Sequence, residues 1–296
     1  MKIITEMAQW RKMIHEETLS RWSDNILLLD TNELKRTQTD ENCVAIVDKF
    51  STAAVMDIVA TTNVKHVIQV SNPKFDHAAN LSAALIQQPE HFFSSPAEIF
   101  FLHRQKEIPK YASESFSVRN SRDKISVLNV IETYLKDIDK ISPILNNILS
   151  IADELYTNAV FNAPVDDMGK PKFAKMARSL PLEIDYNHEA KITVAHSEQL
   201  LFIYCEDSYG SLVPNKVIKR IDYCHKNGVS SSMNIKSYGG TGIGCYMMFE
   251  QCNSFFMTVQ PGKKTIVGAA LLLGLPGRLI AEIPKNIHII DTHNST

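Results

Sequence analysis

The sequence predicts a two-domain α/β protein: an α/β layer built on a parallel sheet, then an α+β sandwich whose mixed sheet carries helices on one face. Three observations predict it. Short runs of Ile, Leu and Val alternate with helical stretches in the first third, the order of strands joined by crossover helices. Two long segments in the middle carry apolar residues at i, i+3/i+4 spacing, the mark of amphipathic helices. In the last third, paired apolar runs flank short polar turns, which reads as hairpins.

The elements follow in order. Residues 1–23 form an N-terminal helix unit: Met7, Trp10, Ile14 and Leu19 recur at roughly helical spacing among charges over 6–21, and Trp10 and Trp22 would dock it. Apolar runs at 26–29, 44–47 and 67–70 read as strands, with helical stretches at 52–60 and 76–85. Together they define a first domain over 24–115. The polar stretch 112–122 reads as a boundary, and the second domain spans 120–296.

In that second domain Ile125, Leu128, Ile131 and Leu135 stripe a helix over 120–134, and Ile144, Ile148, Ile151 and Leu155 stripe another over 138–161. Ser142-Pro143 suits a helix start, with Pro at the first helical position. Asn162-Ala163-Pro164 stops the helix. Strands at 191–195 and 200–205 form one hairpin, and strands at 254–259 and 265–273 form another around Pro261-Gly262. Helices are predicted at 213–226 and 243–251, the latter entered from a glycine-rich loop.

Bulk properties narrow the function. Over 296 residues the formal charge is −2, with 44% hydrophobic and 22% charged residues. There is no global attraction to nucleic acid or to an anionic membrane. The five cysteines, Cys43, Cys205, Cys224, Cys245 and Cys252, form no CxxC pair, so reduced thiols in a reducing compartment are expected. The first residues lack the basic and apolar regions of a signal peptide, and the apolar run 266–275 is too short to span a bilayer. A cytoplasmic protein is expected, without nucleic-acid or membrane partners.

Three segments carry chemistry. Glu154 and Asn158 stand at i and i+4 of a helix, so both face one cleft. The Asn158 amide oxygen suits a hard cation such as Mg²⁺, and Glu154 suits a general base. Asp207 ends a strand before the turn Ser208-Tyr209-Gly210, where it can accept a hydrogen bond from an exocyclic amine. Gly239-Gly240-Thr241-Gly242-Ile243-Gly244 opens a helix, which brings bare backbone N–H groups and a helix N-terminus to an anion.

In order, spacing and element type these segments resemble the N, G1 and G2 boxes of the GHKL (Bergerat-fold) ATPases. The resemblance covers about 142–275 and is closest to histidine kinases and anti-sigma-factor serine kinases. It implies a GHKL sandwich for the second domain, ATP as ligand and Mg²⁺ on Asn158. It also implies that Asp207 reads adenine at the Gly210 turn, while Gly240, Thr241, Gly242, Ile243 and Gly244 hold phosphates. Residues 211–238 would form the lid. Tyr209 and Ser211 stand where the family carries glycine, Asn162 where many relatives carry His, and 165–187 is a partly basic insertion.

The first domain resembles a receiver in element order, with Asp48 ending a strand. It lacks the first-strand acid pair, where only Asp30 stands, and offers only Ser71 of the later partners. A receiver-like domain without a phosphoacceptor pocket is expected. The helices over 120–161 contain no histidine, and His77, His91 and His103 lie outside the dimerisation-hairpin pattern, which disfavours an autophosphorylating histidine kinase. Two readings remain: a Ser/Thr kinase with Glu154 as base acting on a protein partner, or an ATP-responsive or nucleotide-free signalling adaptor. A homodimer is compatible with either.

Overall fold

The computed structural model describes residues 2–5, 43–47, 51–62, 64–101, 110–229 and 243–292. The expected helix at 6–21 and strand at 26–29, as well as Asp30, Asp48, Gly240, Thr241 and Gly242, lie outside the described residues.

Strands β1 (Lys2–Thr5), β2 (Cys43–Val47) and β3 (His66–Gln69) run parallel. Helix α1 (Thr52–Thr61) starts where the Ser51 hydroxyl accepts from the Ala54 N–H, a side-chain cap for an otherwise unpaired donor. Helix α2 (Phe75–Gln87) follows β3, and two short helices, α3 (Pro89–Ser94) and α4 (Pro96–Phe101), each begin with proline, whose missing N–H costs nothing in a first turn.

The stretch expected to be a boundary is instead strand β4 (Ala112–Val118). It lies at the sheet edge, and only Phe116 and Val118 of it are buried. Its Ser and Glu residues face solvent, which gives it the composition of a loop. Helices α5 (Lys124–Lys136) and α6 (Leu145–Thr157) follow, the latter entered through a 3₁₀ turn at Ser142–Ile144. Strands β5 (Ala190–His196) and β6 (Leu200–Asp207) form the first hairpin. Helix α7 (Pro214–Asn227), helix α8 (Ile243–Glu250) and the hairpin β7 (Ser254–Gln260) and β8 (Lys264–Leu272) come next. The chain ends in the one-turn helix α9 (Gly277–Ile280) and strand β9 (Asn286–Asp291).

Strand β9 was not foreseen, and it organises the molecule. It pairs antiparallel with β3 and parallel with β7, so the strands of the first third and those of the remainder form one mixed nine-stranded sheet, ordered β1-β2-β3-β9-β7-β8-β6-β5-β4. One face buries Tyr156, Phe249 and Phe255 under α5 to α8 and α1. The other face was expected to be bare of helices. Instead α2 to α4 cover it, and Phe100 stacks on Phe202 at 4.4 Å between ring centroids, with Phe92 and Phe256 beside them. Four phenylalanines on one patch bury enough apolar area to hold a helix layer there. Among the described residues no helix is long and apolar enough to cross a membrane.

Two polar devices lock the C-terminal segment. Lys285, fully buried, donates to the carbonyls of Glu250, Cys252 and Ile280 at 2.9, 2.8 and 2.7 Å. Two of these carbonyls end helices α8 and α9, where a cation is favourable. Across the β3–β9 seam His66 stands opposite His288, their Nδ1 atoms 3.5 Å apart, and Ser82 Oγ is 3.2 Å from His288 Nδ1.

Burial, then Lys65, holds the His66 pKa down at about 3; burial, then His66 and His77, holds His288 well below 6.5. Both rings are therefore neutral in the folded protein while the unfolded chain protonates them as pH falls below about 6.5. The contribution of these two histidines to stability should be flat above that pH and should fall by about 1 kcal/mol per pH unit per histidine below it. Denaturant titrations between pH 7 and 4 test this, and His288→Gln should make the slope shallower.

Candidate functional site

Helix α6 sets Glu154 and Asn158 on one face, one turn apart. Beyond Thr157 the helix widens into a π turn, Asn158–Asn162, closed by the Ala163 N–H to the Asn158 carbonyl at 2.9 Å. A row of side chains then runs along the helix. Arg178 Nη2 donates to Asn162 Oδ1 at 3.4 Å, Asn162 Nδ2 donates to Asn158 Oδ1, and Asn158 Nδ2 donates to Glu154 Oε1 at 2.9 Å. The guanidinium also lies over the Phe161 ring, 4.4 Å from its centroid. Burial raises the Glu154 pKa above its usual value, while the Asn158 hydrogen bond and the Arg178 charge pull against that rise.

The first described turn of α8 lies directly on this carboxylate. A Cβ at Gly244 would overlap the Glu154 carboxyl group, so a larger residue there would have to push that carboxylate aside or lift α8. Gly244, expected to contact phosphate, lies against the Glu154 carboxyl group. Ile243 starts α8 but is not on the cleft wall.

Asp207 ends β6, buried, and accepts from the Tyr209 N–H at 2.9 Å. Burial is the largest cause that pushes its pKa up to about 6, against the Tyr209 and Gly210 N–H groups. The Thr265 hydroxyl also faces the carboxylate and lowers its pKa, yet its geometry falls short of a hydrogen bond; it is a weak contact. Tyr209 stands at one of the positions where the resemblance implies glycine. It is buried and stacks on His188 at 4.4 Å, whose Nδ1 is 3.0 Å from Ser208 Oγ.

Gly210, expected to touch ligand, does not line the cleft either. Its φ is +57°, a Cβ there would overlap the Gln260 carbonyl, and its own carbonyl accepts from the Gly262 N–H at 3.2 Å. It locks the turn to the β7–β8 hairpin. Ser211 Oγ donates to the Ala163 carbonyl at 2.7 Å, which fastens the same turn to the end of the π segment.

Between these elements lies a cleft of about 540 Å³, within the usual range for small-molecule sites. Glu154, Asn158, Asp207 and Gly244 all line it, joined by Arg178, Lys216 and Arg220. The last two stand at i and i+4 of α7, a spacing readable in the sequence but uninformative without knowing which face of α7 points inward. Cys205 and Cys245 also line the cleft. Burial raises the Cys245 thiol to about 12 and the Cys205 thiol well above 9.0, so neither is a thiolate nucleophile. Among the described residues no three His, Cys, Asp or Glu side chains converge; a cation here would rest on Asn158 and on oxygens of a ligand.

No known family model matches the chain, and no curated protein matches it in sequence.

Gly244→Ala should displace either α8 or the Glu154 carboxyl group, with a loss of about 2 kcal/mol in stability. Glu154→Ala should open the space the new methyl needs. Denaturant melts of both single variants and the double variant should give a double variant more stable than the sum of the singles; strict additivity would contradict the packing described.

Proposed function

We propose that the cleft binds Mg-ATP in the manner of GHKL ATPases and that the protein is a signalling kinase acting on Ser or Thr of a protein partner. One observation carries the reading. Glu154, Asn158, Asp207 and Gly244, drawn from three separate segments, line a single cleft beside Arg178, Lys216 and Arg220. Under this reading residues 120–296 form a GHKL sandwich, the N-terminal third is a receiver-like domain, and the protein works in the cytoplasm.

The residues fit such a ligand. Asp207 offers a buried acceptor for an adenine amine, and the site has a volume of about 540 Å³. The Asn158 oxygen is held by the Asn162 amide, so a cation would require Asn162 to turn aside. A bound Mg²⁺ would supply charge neutralisation between phosphate oxygens. Glu154, made more basic by burial, would take the proton of the Ser or Thr hydroxyl as its oxygen bonds to the γ-phosphorus. The bond to the β,γ-bridging oxygen breaks, and ADP carries away the electron pair. Asn158 would keep the Glu154 carboxylate aimed, and the apolar wall of Leu212 and Val267 would limit water.

A second reading is an ATP-responsive signalling adaptor without phosphotransfer. Two observations favour it: Glu154 is already engaged by Asn158 and covered by Gly244, and Tyr209 and Ser211 replace the glycines of the family's turn.

Calorimetry with Mg-ATP on wild type and Asp207→Asn, with GTP as competitor, tests the site. Asn replaces an acceptor with a donor toward the adenine amine, so affinity should fall by about tenfold or more; GTP, with a carbonyl in place of that amine, should not displace ATP from wild type. Unchanged affinity in the variant would remove Asp207 from the site. Asn158→Ala should abolish the Mg²⁺ dependence of binding.

Asp207→Asn should also stabilise the ligand-free protein. The Asp207 pKa rises from 3.8 to about 6 on folding, so the folded state holds the proton more tightly and loses stability as pH rises through about 6. At pH 8 the variant should be more stable by about 3 kcal/mol, as read from denaturant midpoints.

A further inference from the structure

We infer that Arg178, Lys216 and Arg220 form an anion clamp for the phosphate tail of a nucleotide, and that Arg178 is the residue that favours a triphosphate over shorter tails. The inference rests on the nucleotide reading above and deepens it, because none of the three residues belongs to the segments that suggested that reading.

The clamp comes from two elements on the rim of one cleft. Lys216 and Arg220 lie one turn apart on α7, a like-charge pair that is unfavourable on an isolated helix and becomes favourable once an anion bridges it. Arg178 arrives from the long connection between the π turn and β5. Its guanidinium lies over the Phe161 ring, a contact that holds it beside the amide row. Its hydrogen bond to Asn162 is long, 3.4 Å, and a planar group with five donors can exchange such a bond for two short ones to a phosphate at little cost.

Position also links Arg178 to the cation site. It contacts Asn162, whose amide donates to the Asn158 oxygen. When a phosphate draws Arg178 away, Asn162 loses its anchor and can release the Asn158 oxygen for a metal ion. The terminal phosphate and the cation would then be taken up together. A ligand with a shorter tail would not reach Arg178 and would leave the amide row closed.

The experiment is a ladder of ligands, namely ATP, ADP, AMP and adenosine, each titrated with Mg²⁺ into the full chain as wild type, Arg178→Lys and Arg178→Gln. In wild type ATP should bind tightest. Arg178→Gln should weaken ATP by about tenfold or more while AMP and adenosine stay within about twofold, and Arg178→Lys, which keeps the charge but loses the fork, should fall between. Loss of equal size for all four ligands, or an unchanged ATP affinity, would overturn the clamp and leave the nucleotide reading standing. Wild type binding none of the four would remove the nucleotide reading and the clamp with it. Arg178 lies exposed on a connection, so the variants should fold, and a thermal melt of each checks this before the ladder is read. Should Arg178→Gln fail to fold, Arg178→Lys decides alone: a selective loss of ATP supports the clamp, and an unchanged ladder overturns it.

Discussion

The half-buried carboxylate of Glu154, packed directly against the turn of α8 at Gly244, is the constraint from which the site follows. A carboxyl group in that place must be satisfied or neutralised. Asn158 satisfies it from the same helix, Asn162 satisfies Asn158, and Arg178 closes the row. The wider π turn at Asn158–Asn162 keeps these amides on one side of the helix. Each group is held by the next, and a change at either end is felt along the whole row.

The sheet explains why this helix face becomes a cleft. Strand β6 delivers Asp207, and β8, its neighbour, delivers Thr265 beside it. The β7–β8 turn fills the space behind Gly210 and fixes the direction in which the chain leaves Asp207. Helix α7 then crosses with Ile218, Ile221 and Cys224 inward and Lys216 and Arg220 on the cleft. Helix α1 from the N-terminal third packs against α7. A shift of that third against the sheet would therefore move two of the cleft's cations directly, without any intervening element. The β3–β9 seam, with its neutral histidines and the neighbouring Lys285, sets how rigidly the third is held.

The site was more legible in the sequence than the fold that carries it, and the reason is range. Glu154 and Asn158 are related by a local helical period, and Asp207 by a strand end and a turn. Such features are written in a few consecutive residues. Strand β4 reads as a linker because an edge strand needs only Phe116 and Val118 inside. Strand β9 is a short run, Asn286–Asp291, buried at five consecutive positions; its partners, β3 and β7, lie far away in the chain, and no local pattern names them. The second helix layer was hidden because α3 and α4 are too short to show a period; only their phenylalanines mark them. The direction of the Tyr209 ring was not legible, because a turn residue can point either way and His188, on which the ring stacks, is remote in sequence. Arg178 was marked only as one basic residue of the 165–187 insertion beside the site, and the α7 cations gave no signal beyond charge, since an exposed basic residue is common and its face is set by packing.

The two carboxylates explain why such a cleft should bind something. Asp207 and Glu154 both sit where burial works against their ionised forms. A protein selected for stability alone would replace them with neutral side chains. Arg178, Lys216 and Arg220 line the same cleft and bring positive charge to it. A ligand that donates to Asp207 at one end and presents negative charge to the cations at the other would relieve both strains at once. An amine-bearing base joined to a phosphate chain has that arrangement, and its length sets the distance over which the two ends can be satisfied together. The unfavourable electrostatics of the empty cleft are thus the source of the affinity expected of the filled one.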